Sequence, residues 1–525
     1  MSETASPLPT VREHALAQLR QPRVYDMAIV GGGATGLGLA LDAAQRGLSV
    51  VLVDSHDFAQ GTSSRSTKLL HGGVRYMAQG NIGLVREALR ERTTVLHIAP
   101  GLAHPLAFVI PATRWWERAF YGAGLTLYDW LAGSAGLGAT RILNAAQTRQ
   151  LLPAARAAGL RGGVLYWDAQ FDDARLAIAL ARTAAAHGAL LVNYCATKEL
   201  LIEDGKVAGL RCADAFTGEG FTLQARCVVN ATGVWVDQLR GQEQAACGPP
   251  TVGKPADLPP LVAPSQGIHI VVDARFLGSD TALMVPKTSD GRVLFAVPWL
   301  GKVILGTTDT PREQIEREPM ALHEEVDFIL REAAKFLAVA PTRADIRSLW
   351  VGLRPLVRPH HANGSSASGQ TQKISREHTI LVGPGGMVTV TGGKWTTYRA
   401  MAQDVLQVCA GHGLVPPLPP CQSAQTVLLD GPGAAAQPSL SGIETVPDSG
   451  WPGGLTPHQV RFAVEHEYAC TVEDVLARRS RLLFLDAAAA RDAAPFVASV
   501  MQSCGVADPR PQELTALAAK YLQIP

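Results

Sequence analysis

The chain has 525 residues, which at roughly 150 residues per domain corresponds to three or four domains and excludes one small module. Lys plus Arg number 47 against 46 Asp plus Glu, so no basic excess exists to hold nucleic acid. Hydrophobic residues make up 47% and charged residues 18%, the balance of a chain that folds around sizeable cores and is not low in complexity.

The N-terminal stretch MSETASPLPTVREHALAQLRQPRVYD mixes acids and prolines and lacks an apolar h-region, so it does not read as a secretory signal. Cysteines at 195, 212, 227, 247, 409, 421, 470 and 504 form no CxxC pair. That spacing argues against a zinc ribbon, an iron–sulfur cluster or a disulfide framework, and no metal site is expected.

In chain order, the first strong signal is VYDMAIV over Val24 to Val30, an apolar β-prone run that enters GGGATG at 31 to 36. A helical pattern follows (LGLALDAAQRG), then a second strand, LSVVLVD, that closes on Asp54. Gly31 permits the tight turn, Gly33 lets backbone amides approach a diphosphate, and Gly36 lets helix and strand pack closely. Asp54 lies 54 − 33 = 21 positions past the central glycine, where a carboxylate meets the ribose of a dinucleotide. Strand, turn, helix, strand and acid together predict a dinucleotide-binding unit.

Next comes GTSSRSTKLLHGGVRYM, from Gly61 to Met77. Its small residues and glycines allow a flat ring system to lie against backbone, and its hydroxyls satisfy a polar edge. Thr62, Ser63, Lys68 and Gly72 are candidate cofactor contacts on that reading. The stretch Ala119 to Thr140 is rich in glycine and broken by Asp129, so it is not expected to span a membrane. Trp116, Phe120, Leu127 and Leu131 recur near helical spacing there, beside Arg114, Trp115 and Arg118. Such a stripe lies either on a bilayer surface or on the protein's own core.

RCVVNATGVWVD, from Arg226 to Asp237, reads as a buried strand entering a glycine turn, which makes Thr232 and Gly233 candidate cofactor contacts. Ile268 to Val272, Val293 to Val297 and Val303 to Leu305 are β-rich and suit a sheet covering a substrate. HHANGSSASGQTQK, 360 to 373, is a polar loop. TILVGPGGMVTVTGGKWTTYR returns to strand, turn and helix, with Gly393 and Thr396 at another helix start.

The expected fold is α/β: an FAD-type, Rossmann-like doubly wound domain, discontinuous over 24–95, about 160–260 and 376–410. A β-rich substrate-binding cap over about 96–159 and 261–375 is inserted into it. Residues 411–455 read as a Pro/Gly/Ala-rich linker and 456–525 as a C-terminal helical domain.

The set GGGATGLGLALDAAQRGLSVVLVD, TSSRSTKLLHGGVRY, NATGVW, GTTD, GLRPL and GGKWTTYR resembles the FAD-dependent glycerol-3-phosphate dehydrogenase family, in that family's order from Gly31 to Arg399. The resemblance implies FAD, oxidation of sn-glycerol 3-phosphate to dihydroxyacetone phosphate by hydride transfer from C2 to flavin N5, and electrons delivered to ubiquinone or menaquinone. It also implies a peripheral enzyme on the cytoplasmic face of the inner membrane, and it admits a homodimer. Asp54 stands where many flavoproteins carry Glu, and the shorter carboxylate still reaches a ribose. Cys409, Cys421, Cys470 and Cys504 are too dispersed for an iron–sulfur site, which favours the aerobic form.

Arg75, Arg354 and Lys394 match the family's active-site motifs and are candidate phosphate partners, a fork and a compact charge suiting a dianion. A base is needed for the C2 hydroxyl proton. His71 is the first candidate, because neutral imidazole is matched to pH 7. His269, in GIHIVV, is the second, against a role as a satisfied histidine on a strand. Tyr76 is a candidate hydrogen-bond partner, and Thr307, Thr308 and Asp309 either line the flavin side or form a structural turn. Membrane contact is expected at RWWERAF or at Arg478, Arg479 and Arg481 followed by LLFL. The competing readings are an oxidase passing electrons to oxygen, an amine or amino-acid oxidase, and a flavoprotein subunit without turnover.

Overall fold

The computed structural model describes residues 11–73, 81–248, 258–358, 378–430 and 454–525. Arg75, Tyr76 and the polar loop at 360–373 lie outside the described residues, as does most of the Pro/Gly/Ala-rich stretch.

Val24–Val30 is buried along nearly its whole length, as a strand flanked on both faces must be. It pairs in parallel with Val50–Val53 on one side and Gly220–Asn230 on the other, so Ile29 lies between Leu52 and Val229. The full sheet runs His378–Val382, Val388–Gly392, Gly220–Asn230, Val24–Val30, Val50–Val53, Leu190–Val192, with Cys195–Glu203 and Lys206–Asp214 as an antiparallel appendage. Helices Ala34–Gln45, Asp173–Ala186 and Tyr398–Gly411 pack on it through an Ala- and Leu-rich core. Gly36 is required there: any Cβ would collide with the Gly31 carbonyl oxygen. The doubly wound unit is discontinuous, as expected, but Leu69–Leu70 and Gly162–Phe171, placed in it by the sequence reading, pair in the second sheet.

The second sheet has ten strands, ordered Thr310–Pro311, Val262–Asp273, Lys302–Gly306, Leu294–Trp299, Ala282–Val285, Ala103–Ala112, Gly162–Phe171, Leu69–Leu70. Ser348–Val357 adds to Val262–Asp273, and Arg141–Asn144 to Gly162–Phe171. The stretch Gly162–Phe171 was expected with the nucleotide unit and belongs here instead. It forms a long antiparallel ladder with Ala103–Ala112, and only after Phe171 does the chain return to the first sheet through the Asp173–Ala186 helix.

Helices Pro457–His466, Ala487–Ser503 and Pro511–Leu522 share a core with Val271, Trp299, Ile304 and Trp350 of the second sheet. The expectation that Arg478, Arg479, Arg481 and LLFL face a membrane is overturned. All three arginines and Leu482–Leu485 are buried. Arg478 and Arg479 both hold Asp57, and Arg481 holds Asp173 at 3.0 Å, so these cations fasten the helical domain to the nucleotide unit. The stretch before residue 431, read as a linker, is packed as well: Leu428 is buried and Asp430 pairs with Arg175 at 3.1 Å.

The Glu117–Ala132 helix turns Leu125, Tyr128 and Leu131 inward. Its outer side leaves Phe120 at 65% and Trp130 at 70% exposure, with Trp115, Trp116 and Leu127 also exposed. Among the described residues no helix is long and apolar enough to cross a membrane.

Candidate active site

The glycine turn is built for a diphosphate. Gly31 has φ 110°, and a Cβ there would sit 2.5 Å from the Ala231 carbonyl oxygen, so the turn is pressed against the NATG segment. Gly33 caps the Ala34–Gln45 helix without a side-chain bond, and Ser63 Oγ accepts from Ala34 N at 2.9 Å. Asp54 accepts from Gly32 N at 2.6 Å and from His56 N at 2.9 Å. Burial pushes its carboxyl up to about 6 against the pull of those amides. Thr232 is folded back on Asn230 Oδ1 at 2.7 Å, and Gly233, at φ 64°, accepts from Thr391 through its carbonyl. A helix N-terminus flanked by close-packed glycines and a ribose-length carboxylate fit the adenosine diphosphate half of FAD.

The cleft beside this turn is stitched by Thr62 and Ser63. Thr62 Oγ1 donates to Leu353 O at 2.7 Å, and Ser63 O accepts from Trp395 Nε1 at 2.9 Å. Leu353 precedes Arg354 and Trp395 follows Lys394, so two adjacent hydroxyl residues bring both cation-bearing segments to one place. His71 joins them through its backbone, His71 N donating to Thr396 Oγ1 at 3.3 Å. Gly393, at φ 72°, makes the turn that presents Lys394; a side chain there would strike Met401.

Arg354 stands on Ser348–Val357 opposite Ser265. One nitrogen donates to Thr307 Oγ1 at 3.0 Å, and the other lies 3.4 Å from Gln266 O and 3.5 Å from Asp309. Gly267 leaves the space: a Cβ there would meet both the guanidinium and Thr307. The GTTD motif thus divides. Thr307 and Asp309 orient Arg354, whereas Thr308 is buried, donates to Glu325 at 2.8 Å and accepts from Ile268 N, a structural role.

His269 shares that sheet face. Its Nε2 meets Thr67 Oγ1 at 2.9 Å and its ring stacks on Trp350 at 4.1 Å. Burial, with Lys68 and Arg354 nearby, holds it far below the usual imidazole range, so it is neutral at physiological pH. His71 is partly exposed and His269 is sealed.

Lys68 is not at the cofactor surface. Its ammonium is fully buried against Ser64 O at 2.6 Å and Asp173 at 2.7 Å, over the faces of Trp299, Trp350 and Phe484. Burial brings it down to about 7. The expected cofactor contact through its side chain is therefore replaced by a supporting role beneath His269. Gly72 is buried, and its N–H donates to Tyr128 Oη at 2.8 Å. Tyr128 and Thr67 were not visible as site residues, since their partners lie 56 and 202 positions away.

Two family models match. That of the FAD dependent oxidoreductases covers residues 26–399, and that of the C-terminal domain of alpha-glycerophosphate oxidase covers 453–506. Mitochondrial glycerol-3-phosphate dehydrogenase of Rattus norvegicus is 36% identical over 580 aligned positions, spanning 99% of this chain and 76% of its own length. The structure of the glycerol-3-phosphate dehydrogenase from Bacillus halodurans, complexed with FAD, aligns at a TM-score of 0.74 with 26% identity over 98% of this chain and 97% of that one. L-alpha-glycerophosphate oxidase from Mycoplasma pneumoniae, 16% identical over 77% of this chain and 98% of that one with a TM-score of 0.56, shares the fold. The chain belongs to the FAD-dependent glycerol-3-phosphate dehydrogenases, within the FAD dependent oxidoreductases.

Proposed function

We propose that the protein oxidises sn-glycerol 3-phosphate to dihydroxyacetone phosphate and passes the electrons to a membrane quinone. The observation that supports the substrate is the Thr62–Ser63 stitch, which draws together the segments that bear Arg354, Lys394 and His71.

A phosphomonoester dianion needs cations that do not move when it arrives. Arg354 is held by Thr307 and Asp309 before any ligand enters, so little reorganisation is spent in binding. Lys394 supplies a second charge, and Arg75 is proposed as a third. Oxidation at C2 removes two electrons and two hydrogens: the hydroxyl proton goes to a base and the hydride to an acceptor. FAD, when bound, supplies that acceptor. His71 takes the proton, because it is partly exposed at the cleft while His269 is closed off beneath Thr67 and Trp350. His269 stays neutral and adds no competing charge. Tyr76 is proposed to hydrogen-bond the substrate. Glycines 31, 33 and 36 with Asp54, Ser63 and Thr232 to Gly233 are proposed to hold the dinucleotide, and Thr62, Gly72, Gly393 and Thr396 to border the flavin.

The quinone and the membrane rest on a different observation, the outer face of Glu117–Ala132. Trp115 and Trp116, just before the helix, and Phe120, Leu127 and Trp130 on it are exposed, with Arg114 exposed beside Trp116. Exposed tryptophans beside an arginine suit the headgroup level of a bilayer, where each buried aromatic contributes about 1.5 to 3 kcal/mol. We place that contact on the cytoplasmic face of the cell membrane, with the protein peripheral.

The test is turnover with glycerol 3-phosphate in the presence of anionic phospholipid vesicles and a quinone, with peroxide measured in parallel. Quinone reduction with little peroxide, and loss of vesicle binding when Trp115, Phe120 and Trp130 become Ser, are the expected results. Stoichiometric peroxide without need of quinone would establish the oxidase reading instead.

A further inference from the structure

Arg317 stands at the rim of the nucleotide turn, on a segment that belongs to the second sheet's connections. Its guanidinium lies over the Trp235 ring, 5.7 Å from the centroid. Trp235 ends the NATGVW turn, and its ring packs 3.4 Å from where a Cβ on Gly61 would lie, next to Thr62 and Ser63. Arg317 is exposed, and among the described residues it makes no hydrogen bond and no ion pair. Its charge nonetheless reaches Asp54, which it favours in the ionised form, and His56, whose ring it helps to hold low, at about 4, after burial. Those two residues flank the end of Val50–Val53, where the dinucleotide ribose is expected.

The mount is rigid. Glu318, the next residue, is held by Arg65 of the nucleotide unit and lies 3.5 Å from Tyr521 Oη of the C-terminal domain. Arg65 also donates to Val351 O at 3.1 Å. On the other side Arg312 holds Gln266 at 2.8 Å and Met320 O at 3.1 Å. The segment is thus pinned by all three parts of the fold, and it presents a cation that makes no ion pair among the described residues; burial lowers its pKa, and the more distant carboxylates of Asp54, Glu318 and Glu473 offset that only in part.

A guanidinium with its donors unspent, held over an aromatic ring that packs against Gly61, matches phosphate oxygens. We propose that Arg317 is a cofactor-retention residue, a clamp contributed from outside the nucleotide fold that pairs with the diphosphate of FAD. With FAD bound, the glycine fingerprint would supply backbone amides to that anion and Arg317 a full positive charge. The Glu318 anchor makes cofactor retention sensitive to how the cap and C-terminal domain are docked.

The experiment is FAD release from the holoenzyme, followed as the rise in flavin fluorescence on dilution at several salt concentrations. Arg317→Met should release FAD about tenfold to a hundredfold faster than the wild type, the range of a lost charge-assisted bond. Arg317→Lys should fall between. Release from the wild type should accelerate with salt, and release from Arg317→Met should do so less steeply. Unchanged release in Arg317→Met overturns the inference. So does equal acceleration in the Met and Lys variants with the wild-type salt dependence, which would mark the side chain as structural packing on Trp235.

Discussion

The Tyr128 hydroxyl accepts from the Gly72 amide at 2.8 Å, which ties the helix bearing the exposed Phe120 and Trp130 to the loop bearing His71. The same hydroxyl donates to Asp168 at 3.0 Å, and Asp168 accepts from Arg92 at 2.8 Å. All three side chains are buried. Tyr128→Phe leaves the Gly72 amide without its acceptor, at a cost of about 1 to 3 kcal/mol. It should lower kcat more than it raises KM, because His71 is displaced with the loop while Arg354 and Lys394, on other segments, stay in place. Steady-state kinetics and thermal unfolding check this; an unchanged kcat with lowered stability would confine Tyr128 to packing.

Arg354→Met removes a guanidinium held ready by Thr307 and Asp309. kcat/KM for glycerol 3-phosphate should fall by roughly 1.5 to 3 kcal/mol, about tenfold to a hundredfold, with little effect on oxidation of glycerol. Equal losses with both substrates would deny Arg354 its phosphate role.

His71→Asn should cut the rate of flavin reduction by about a hundredfold or more with modest loss of substrate affinity. His269→Asn should act chiefly through its contacts with Thr67 and Trp350. Rapid-mixing reduction of both variants separates the two, and a wild-type rate in His71→Asn would move the base to His269.

Lys68 carries a pH signature. Burial lowers it to about 7 from an unfolded value of 10.5, so between those limits the unfolded chain binds more protons than the folded one. Its contribution is fully present above 10.5 and is lost as pH falls toward 7. Stability of the wild type should therefore rise with pH across that window more steeply than that of Lys68→Met, by up to about 1.4 kcal/mol per pH unit. Denaturant midpoints at pH 7, 8 and 9 measure it; parallel slopes would show that Lys68 stays charged beside Asp173.

Where signals are local, the sequence was legible. GGGATG with two apolar strands and Asp54 forms the predicted β–α–β unit, and the strands predicted around Ile268, Val293 and Val303 are present. Long-range pairing was not legible. RRSRLLFL has the composition of a basic membrane helix, yet Asp57, 421 and 422 positions earlier, draws Arg478 and Arg479 inside. Lys68 sits among small hydroxyls like a cofactor ligand, but Asp173 and three aromatic faces take its charge inward. Gly162–Phe171 resembles any buried strand, and only its ladder with Ala103–Ala112 decides its sheet.

The most direct measurement is an anaerobic absorbance titration of the purified yellow protein with glycerol 3-phosphate. The flavin band should bleach and be restored by a soluble quinone faster than by air. A band that persists at saturating glycerol 3-phosphate would contradict the assigned substrate and leave the cations of the cleft to another anion.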